Sequence, residues 1–344
     1  MSERKAAAVP TGKEASYVAA MLRRIRELFD PFLALLIATV ATASLLPARG
    51  MGATIAGWLA DGAILLLFFL HGAKLSREAI VAGAAKWKLH LSVLATSFLL
   101  YPLIGLGGEA VASRVAPAMA AGLLYLSLLP STVQSSIAFT SIAGGDVPAA
   151  ICSASLSSII GILATPLLAQ LLMGAGGTSS AQALDSILKV GGQLLLPFLA
   201  GHFLRPWIGG FVDRHKPLVG RVDRGSILFL VYTVFSAAVV EGIWHRTDLH
   251  DLIAALIIGM VMLAIVLGVT LWLPRALGWS REDEIVWRFC GSKKSLVSGV
   301  PLAAAIFPAP QVGMLLLPLM IFHQAQLMAC SVLAKRYAAA GSRD

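Results

Sequence analysis

Lys293 and Lys294 stand side by side in an apolar run, residues 285–307, that is long enough to cross a bilayer. Each ammonium costs about 2.5 to 3.5 kcal/mol at the centre of a spanning helix, so their presence points to chemistry rather than packing. The run breaks at Gly291-Ser292, which puts both lysines at the start of a second half-helix, where the macrodipole is already positive. Two ammoniums there repel each other and the dipole. A compensating anion is expected, either Asp61, Asp146 or Glu241, or a substrate. The alternative is a lysine that snorkels to the interface as an anchor.

A second polar break lies about 160 residues earlier. Pro130-Ser131-Thr132-Val133-Gln134-Ser135-Ser136 interrupts the apolar run 116–143, with Gly144-Gly145-Asp146 behind it. Pro130 has no N–H to donate, so carbonyls of the preceding turn are left open and able to hold a cation. Ser131 or Thr132 is placed to cap the half-helix that follows, and Gln134, Ser135 and Ser136 put neutral oxygens within a turn of the break. Two hydrophobic segments interrupted at corresponding points of two chain halves mark the binding site of a secondary transporter. A third polar cluster, His323, Gln324 and Gln326, falls in the last apolar run.

The elements that must position these groups are membrane spans. The chain has 344 residues, 58% hydrophobic and 13% charged, with a mean hydropathy of +0.82. That composition excludes an ordinary soluble domain. Apolar runs at 29–46, 53–72, 91–107, 116–143, 149–173, 187–204, 225–244, 252–273, 285–307 and 312–333 give ten spans. With the N-terminus in the cytoplasm, 20 Lys and Arg lie inside and three outside (Arg49, Arg114 and Arg246), as the positive-inside rule requires. The net charge of +9 therefore reads as plasma-membrane topology and lipid contact, with no nucleic-acid partner.

Five spans in each half is an odd number, so structural repeats must be inverted. The expected organisation is a cytoplasmic tail at 1–28, a first five-helix repeat at 29–173, a linker at 174–183, a second repeat at 184–338 and a cytoplasmic tail at 339–344. The fold class is all-α integral membrane, with broken helices 4 and 9 crossing at mid-membrane. Residues 1–28 hold no apolar core of a signal peptide. Cys152, Cys290 and Cys330 all fall in spans without paired spacing, and no disulfide or metal site follows.

Enzymatic motifs are missing: there is no H-E-x-x-H, no G-x-S-x-G and no G-x-x-x-x-G-K-S/T. Ala143-Gly144-Gly145-Asp146 departs from a G-x-G-D protease motif at its first glycine. No catalytic residues and no resident cofactor are expected.

Several motifs, in order, resemble the bile acid:sodium symporter family. Gly122 to Ser136, Gly144 to Asp146 and Ala164 to Leu168 are similar to its first-half core. Phe68 to Ser76, Leu196 to Gly201, Cys290 to Leu296 and Phe322-His323-Gln324 resemble its divergent bacterial branch of sodium-dependent transporters. The resemblance implies ten helices, a panel domain against a core domain, and sodium as the coupling ion. It places Ser97, five residues before Pro102, and Pro130, Ser135 and Ser136 at positions matching its sodium-ligand segments. Where that family carries Glu-x-x-x-Gln in span nine, this chain has Gly291 to Ser295, with two lysines and no acid. A lysine standing in for a bound cation leaves one sodium site, proton coupling or no coupling.

The sequence thus predicts a secondary transporter of a small organic anion, working by alternating access. Gln134, Lys293, Lys294, Ser295, His323 and Gln324 are its candidate substrate-binding residues, and Ser97, Ser135, Ser136 and Asp146 its candidate ion-binding residues. The alternative is a non-transporting membrane regulator that retains the fold. Substrate identity and oligomeric state are left open.

Overall fold

The computed structural model describes residues 31–74, 85–174 and 180–341. The expected tail at 1–28 and residues 175–179 of the expected linker at 174–183 lie outside these residues. The described chain is all-helical, with no strand among the described residues.

In chain order the helices are α1 (Pro31–Leu45), α2 (Met51–Lys74), α3 (Trp87–Ala95), α4 (Tyr101–Val115), α5 (Pro117–Ser127), α6 (Val133–Ala143), α7 (Val147–Met173), α8 (Ser180–Arg214), α9 (Lys216–Val240), α10 (Leu249–Ala276), α11 (Arg281–Gly291), α12 (Leu296–Ile306) and α13 (Ala309–Gly341). A π-helical turn, Thr96–Leu100, joins α3 to α4 without a break. Among the described residues, six helices are long and apolar enough to cross a membrane: α2, the continuous α3–α4, α7, α9, α10 and α13.

The described residues of the ten apolar runs are mainly helical, but not all as unbroken spans. The runs 116–143 and 285–307 each resolve into two 11-residue helices, α5 with α6 and α11 with α12. Neither half spans a bilayer alone, since about 20 residues are needed. Boundaries elsewhere follow local chemistry. Asp146 caps α7 through the Ala149 N–H, and Gly144, at φ 76°, closes α6 in the left-handed conformation that glycine favours. Asp248 and Asp251 cap α10 reciprocally. Ser280 caps α11, whose first turn carries Glu282, Asp283 and Glu284 against the helix dipole.

Two groups of helices pack together. The first contains α1, α2, α8 and α9, and the second contains α3 to α7 with α10 to α13. They meet where α9 lies on α13 and α12, and where α8 lies on α7. The tightest approach is between α2 and α8. A Cβ on Gly72 would fall 1.9 Å from the Phe198 carbonyl oxygen, and one on Gly201 would fall 2.0 Å from the Phe69 carbonyl oxygen. Only glycine fits either place.

Polarity is arranged inside out. Trp58, Trp207, Trp272 and Leu45 are exposed, while Lys293 and Lys294 are among the largest fully buried side chains. A soluble protein shows the reverse, and a lipid solvent accounts for both.

Candidate functional site

The two helix breaks, residues 128–132 and 292–295, touch each other inside the second helix group. The Ser295 N–H donates to the Pro130 carbonyl at 3.0 Å. The Thr132 hydroxyl donates to the Lys294 carbonyl, also at 3.0 Å. Thr132 occupies the N-cap position of α6 but makes no cap, because its hydroxyl is used across the break. Pro130 in turn rests on Gly161 of α7, where a Cβ would lie 2.7 Å from the proline ring.

Irregular backbone buried away from water needs a partner for each polar group. Side chains of neighbouring helices supply them. Tyr101 Oη donates to the Ser292 carbonyl at 2.6 Å, and Ser136 Oγ to the Phe289 carbonyl at 2.9 Å. Gln326 of α13 pairs with both backbone groups of Lys294, accepting from its N–H at 3.0 Å and donating to its carbonyl at 2.7 Å. His323 Nδ1 lies 3.0 Å from Gln326 Nε2 and 3.3 Å from the Lys294 carbonyl oxygen.

The side chain of Lys294 leaves its own break and reaches into the other. Its Nζ donates to the carbonyls of Ser97 at 2.8 Å, Ser127 at 2.8 Å and Leu129 at 2.7 Å. The Tyr101 ring lies beneath it, with the centroid 4.2 Å away. Carbonyl oxygens only accept, so three such contacts use all three N–H groups of an ammonium.

Each carbonyl is open for a reason legible in the chain. The Ser131 N–H, four residues beyond Ser127, turns to Ser157 Oγ instead. The helix stops before residue 133 can close on Leu129. At Ser97 the backbone runs in i→i−5 register, with the Tyr101 N–H on the Thr96 carbonyl. The next such partner, Pro102, has no N–H.

The place of the lysines at the positive end of α12 predicts an anionic partner, a protein carboxylate or a substrate. Lys294 instead uses the negative, C-terminal end of α5 together with a π-helical carbonyl. Among the described residues no carboxylate pairs with either lysine. Asp61 and Glu241 are exposed.

Lys293 is equally buried and differently housed. Its Nζ lies 3.6 Å from the Phe139 ring centroid and 5.9 Å from that of Phe289, and it has no hydrogen-bond partner. Ser135 Oγ and Thr140 Oγ1 of α6 are also buried without partners. One turn before the break, Arg288 is 3% exposed, lies over the Tyr337 ring at 5.3 Å and approaches Glu284 at 3.5 Å.

The other sequence candidates divide. Ser97 contributes its backbone carbonyl to the Lys294 contacts, while its hydroxyl is buried and unpartnered. Ser295 caps α12 through the Ser298 N–H. Gln134 is exposed on α6, away from the contacts between the breaks. Gln324 is half-buried, and it is Gln326 that holds the break.

Asp146 lies at one end of the bundle, 2.7 Å from Lys86, which also binds Asp283 at 2.7 Å. Burial works against the Asp146 carboxylate, but the Ala149 N–H and Lys86 outweigh it and draw its pKa below the usual value. Burial likewise works against the Lys86 ammonium, and the two carboxylates outweigh it and raise its pKa. This triad ties the starts of α3, α7 and α11 together.

Sequence reasoning missed Tyr101, Phe139, Ser127 and Leu129. The last two act through carbonyls, whose use depends on where a helix stops rather than on residue type.

Comparison with known proteins agrees with a transporter. The profile of the SBF-like CPA transporter family matches residues 30–339. The chain is 53% identical over 318 residues to the protein PA2026 of Pseudomonas aeruginosa, covering 92% of this chain and 95% of that one. It is 50% identical over 318 residues to "Putative symporter YfeH" of Escherichia coli strain K12, covering 91% and 94%. It is 28% identical over 275 residues to sodium/bile acid cotransporter 7 of Danio rerio, covering 79% and 81%. With helices apolar enough to span a membrane and two helix breaks joined around buried lysines, the chain belongs to the SBF-like CPA transporter family.

Proposed function

We propose that this protein is a plasma-membrane secondary transporter of a small organic anion that works by alternating access, and that Lys293 is the anion's counter-charge. The observation that carries the reading is the Lys293 amino group. It is fully buried and has no hydrogen-bond partner, and it sits where the two broken helices meet. A buried amine left without an acceptor costs free energy that a soluble anion would recover on binding. The orphaned hydroxyls of Ser135 and Thr140 supply donors for further oxygens of that anion.

In this reading the chain forms ten spans as two inverted five-helix repeats, with α5–α6 and α11–α12 as the broken fourth and ninth spans. Both termini are cytoplasmic, as the distribution of 20 inner and three outer basic residues supports. The group containing α1, α2, α8 and α9 rocks against the group that holds the breaks. Lys293 is closed off in the present conformation and is reached from one side at a time. The name of one relative, a sodium/bile acid cotransporter, supports an anionic organic cargo, and that of another, a symporter, supports transport.

The test is thermal unfolding of the purified protein with a panel of monocarboxylates, dicarboxylates and sulfonates, followed by uptake of the stabilising compounds into proteoliposomes. A ligand of the folded state raises stability by mass action. Stabilisation followed by uptake is the expected result. Stabilisation without uptake would favour a membrane regulator that keeps the fold, and no response to any anion would remove the anion assignment.

A further inference from the structure

Backbone carbonyls at the ends of broken membrane helices are the usual ligands of a coupling alkali ion. The carbonyls of Ser97, Ser127 and Leu129 converge on one point from two helices, 2.7 to 2.8 Å from the atom between them. That atom is Lys294 Nζ. A sodium ion and an ammonium cannot share the position, and their charges repel strongly in so dry a place. The residues present therefore do not fit a sodium ion in this cage.

We infer that Lys294 is a tethered cation: its ammonium takes the position of a bound alkali ion, holds the two helix breaks together, and leaves this cage with no sodium to bind or carry. A dissociable ion couples transport to its gradient because it enters on one side and leaves on the other. An ion bonded to the chain does neither. Resting on the transporter reading, the consequence is that sodium supplies no driving force through this cage. The binding half of the inference stands without that reading.

The geometry also says what the cage would do once emptied. With the lysine side chain truncated, three carbonyl oxygens remain, and the buried, unpartnered Ser97 Oγ is available as a fourth ligand. An alkali ion or a short alkylammonium should then enter.

The experiment is thermal unfolding of the full chain in detergent, for the parent, Lys294→Ala and Lys294→Met. Sodium, potassium or ethylammonium chloride is titrated at constant ionic strength against N-methylglucamine. The parent is expected to respond to none of the three. Lys294→Ala should be less stable than the parent and should be restored saturably by ethylammonium or an alkali ion. Lys294→Met, whose side chain fills the space without charge, should be destabilised and not restored.

A saturable stabilisation of the parent by sodium overturns the inference, as does a Lys294→Ala protein that matches the parent and responds to no cation. If Lys294→Ala does not fold, Lys294→Met decides, since a methionine protein as stable as the parent also overturns it. If neither folds, the parent titration alone decides. Uptake is then compared with and without a sodium gradient, and equal rates are expected. Absence of uptake in both media, with an unresponsive parent and a cation-restored Lys294→Ala, would sink the transporter reading and leave the tethered cation intact.

Discussion

The Ser295 N–H donates to the Pro130 carbonyl at 3.0 Å, joining two helix breaks that lie 165 residues apart in the chain. A proline at the first break and a serine cap at the second thereby answer each other's backbone needs. Neither break can be altered without exposing polar groups at the other, which makes substitutions around them informative.

Lys293→Met keeps length and removes charge. If Lys293 faces the anion, loss of one desolvated, charge-assisted contact should weaken binding by roughly 1.5 to 3 kcal/mol, or about ten- to a hundredfold. Titration of a stabilising anion by thermal shift reads this directly. Equal affinity in parent and variant would return Lys293 to a packing role against Phe139.

Gln326→Leu should be among the most destabilising single changes outside the lysines. The amide satisfies both the N–H and the carbonyl of Lys294 at a fully buried position, and each group left unpaired costs about 1 to 3 kcal/mol. Gln134→Leu, on the exposed face of α6, should change stability by about 0.5 kcal/mol or less. Equal melting temperatures for the two variants would mean the break does not depend on Gln326.

Tyr101→Phe removes the donor to the Ser292 carbonyl while keeping the ring under Lys294. A cost of about 1 to 3 kcal/mol is expected from the orphaned carbonyl. Tyr101→Leu, which loses the ring face as well, should cost more. If the leucine variant is no worse than the phenylalanine one, the ring contributes nothing to holding the ammonium.

Asp146 separates a cap from an ion pair. Asn keeps the N-cap of α7 and removes the charge, so Asp146→Asn should cost about 1 kcal/mol or less, whereas Asp146→Ala should lose about a further 1 kcal/mol with the cap. Because its pKa is depressed in the folded protein, the carboxylate's contribution is complete above the ordinary carboxylate range and is lost as pH falls through the depressed value. The raised pKa of Lys86 has the opposite sense: its contribution is complete below the ordinary lysine value and is lost as pH rises through the raised one. The stability difference between parent and Asp146→Asn should therefore be present at neutral pH and vanish in acid. A difference that persists after the carboxyl is protonated would rule out the ion pair as its source.

Much of the site could be read from residue types, because cost is visible in composition. Two lysines in an apolar run and a proline among serines are expensive, and both mark places where the backbone leaves the helix. The direction of the Lys294 side chain could not be read, since a long flexible chain chooses its acceptors from whatever helix lies opposite. The π-helical turn at Thr96–Leu100 was equally hidden. Its trace in the sequence is only that Ser97 precedes Pro102 by five, the spacing at which a missing N–H matters in that register.

The choice between Gln324 and Gln326 was decidable in principle. Residues two apart face different sides of a helix, while His323 and Gln326, three apart, share one. For Asp146 residue type alone does not decide, because a carboxylate near a break suits an ion site and equally suits the helix cap and lysine pair that it forms.

The mutual glycine contact of α2 and α8 limits how the protein can move. With the Gly72 Cα pressed on the Phe198 carbonyl and the Gly201 Cα on that of Phe69, a slip of one residue along either axis drives a side chain into backbone oxygen. The two helices cannot shear past one another and must travel as a single strut. Any sliding between the helix groups is left to the seams of α9 on α13 and α12 and of α8 on α7, where no added Cβ would come as close to backbone as at Gly72 and Gly201.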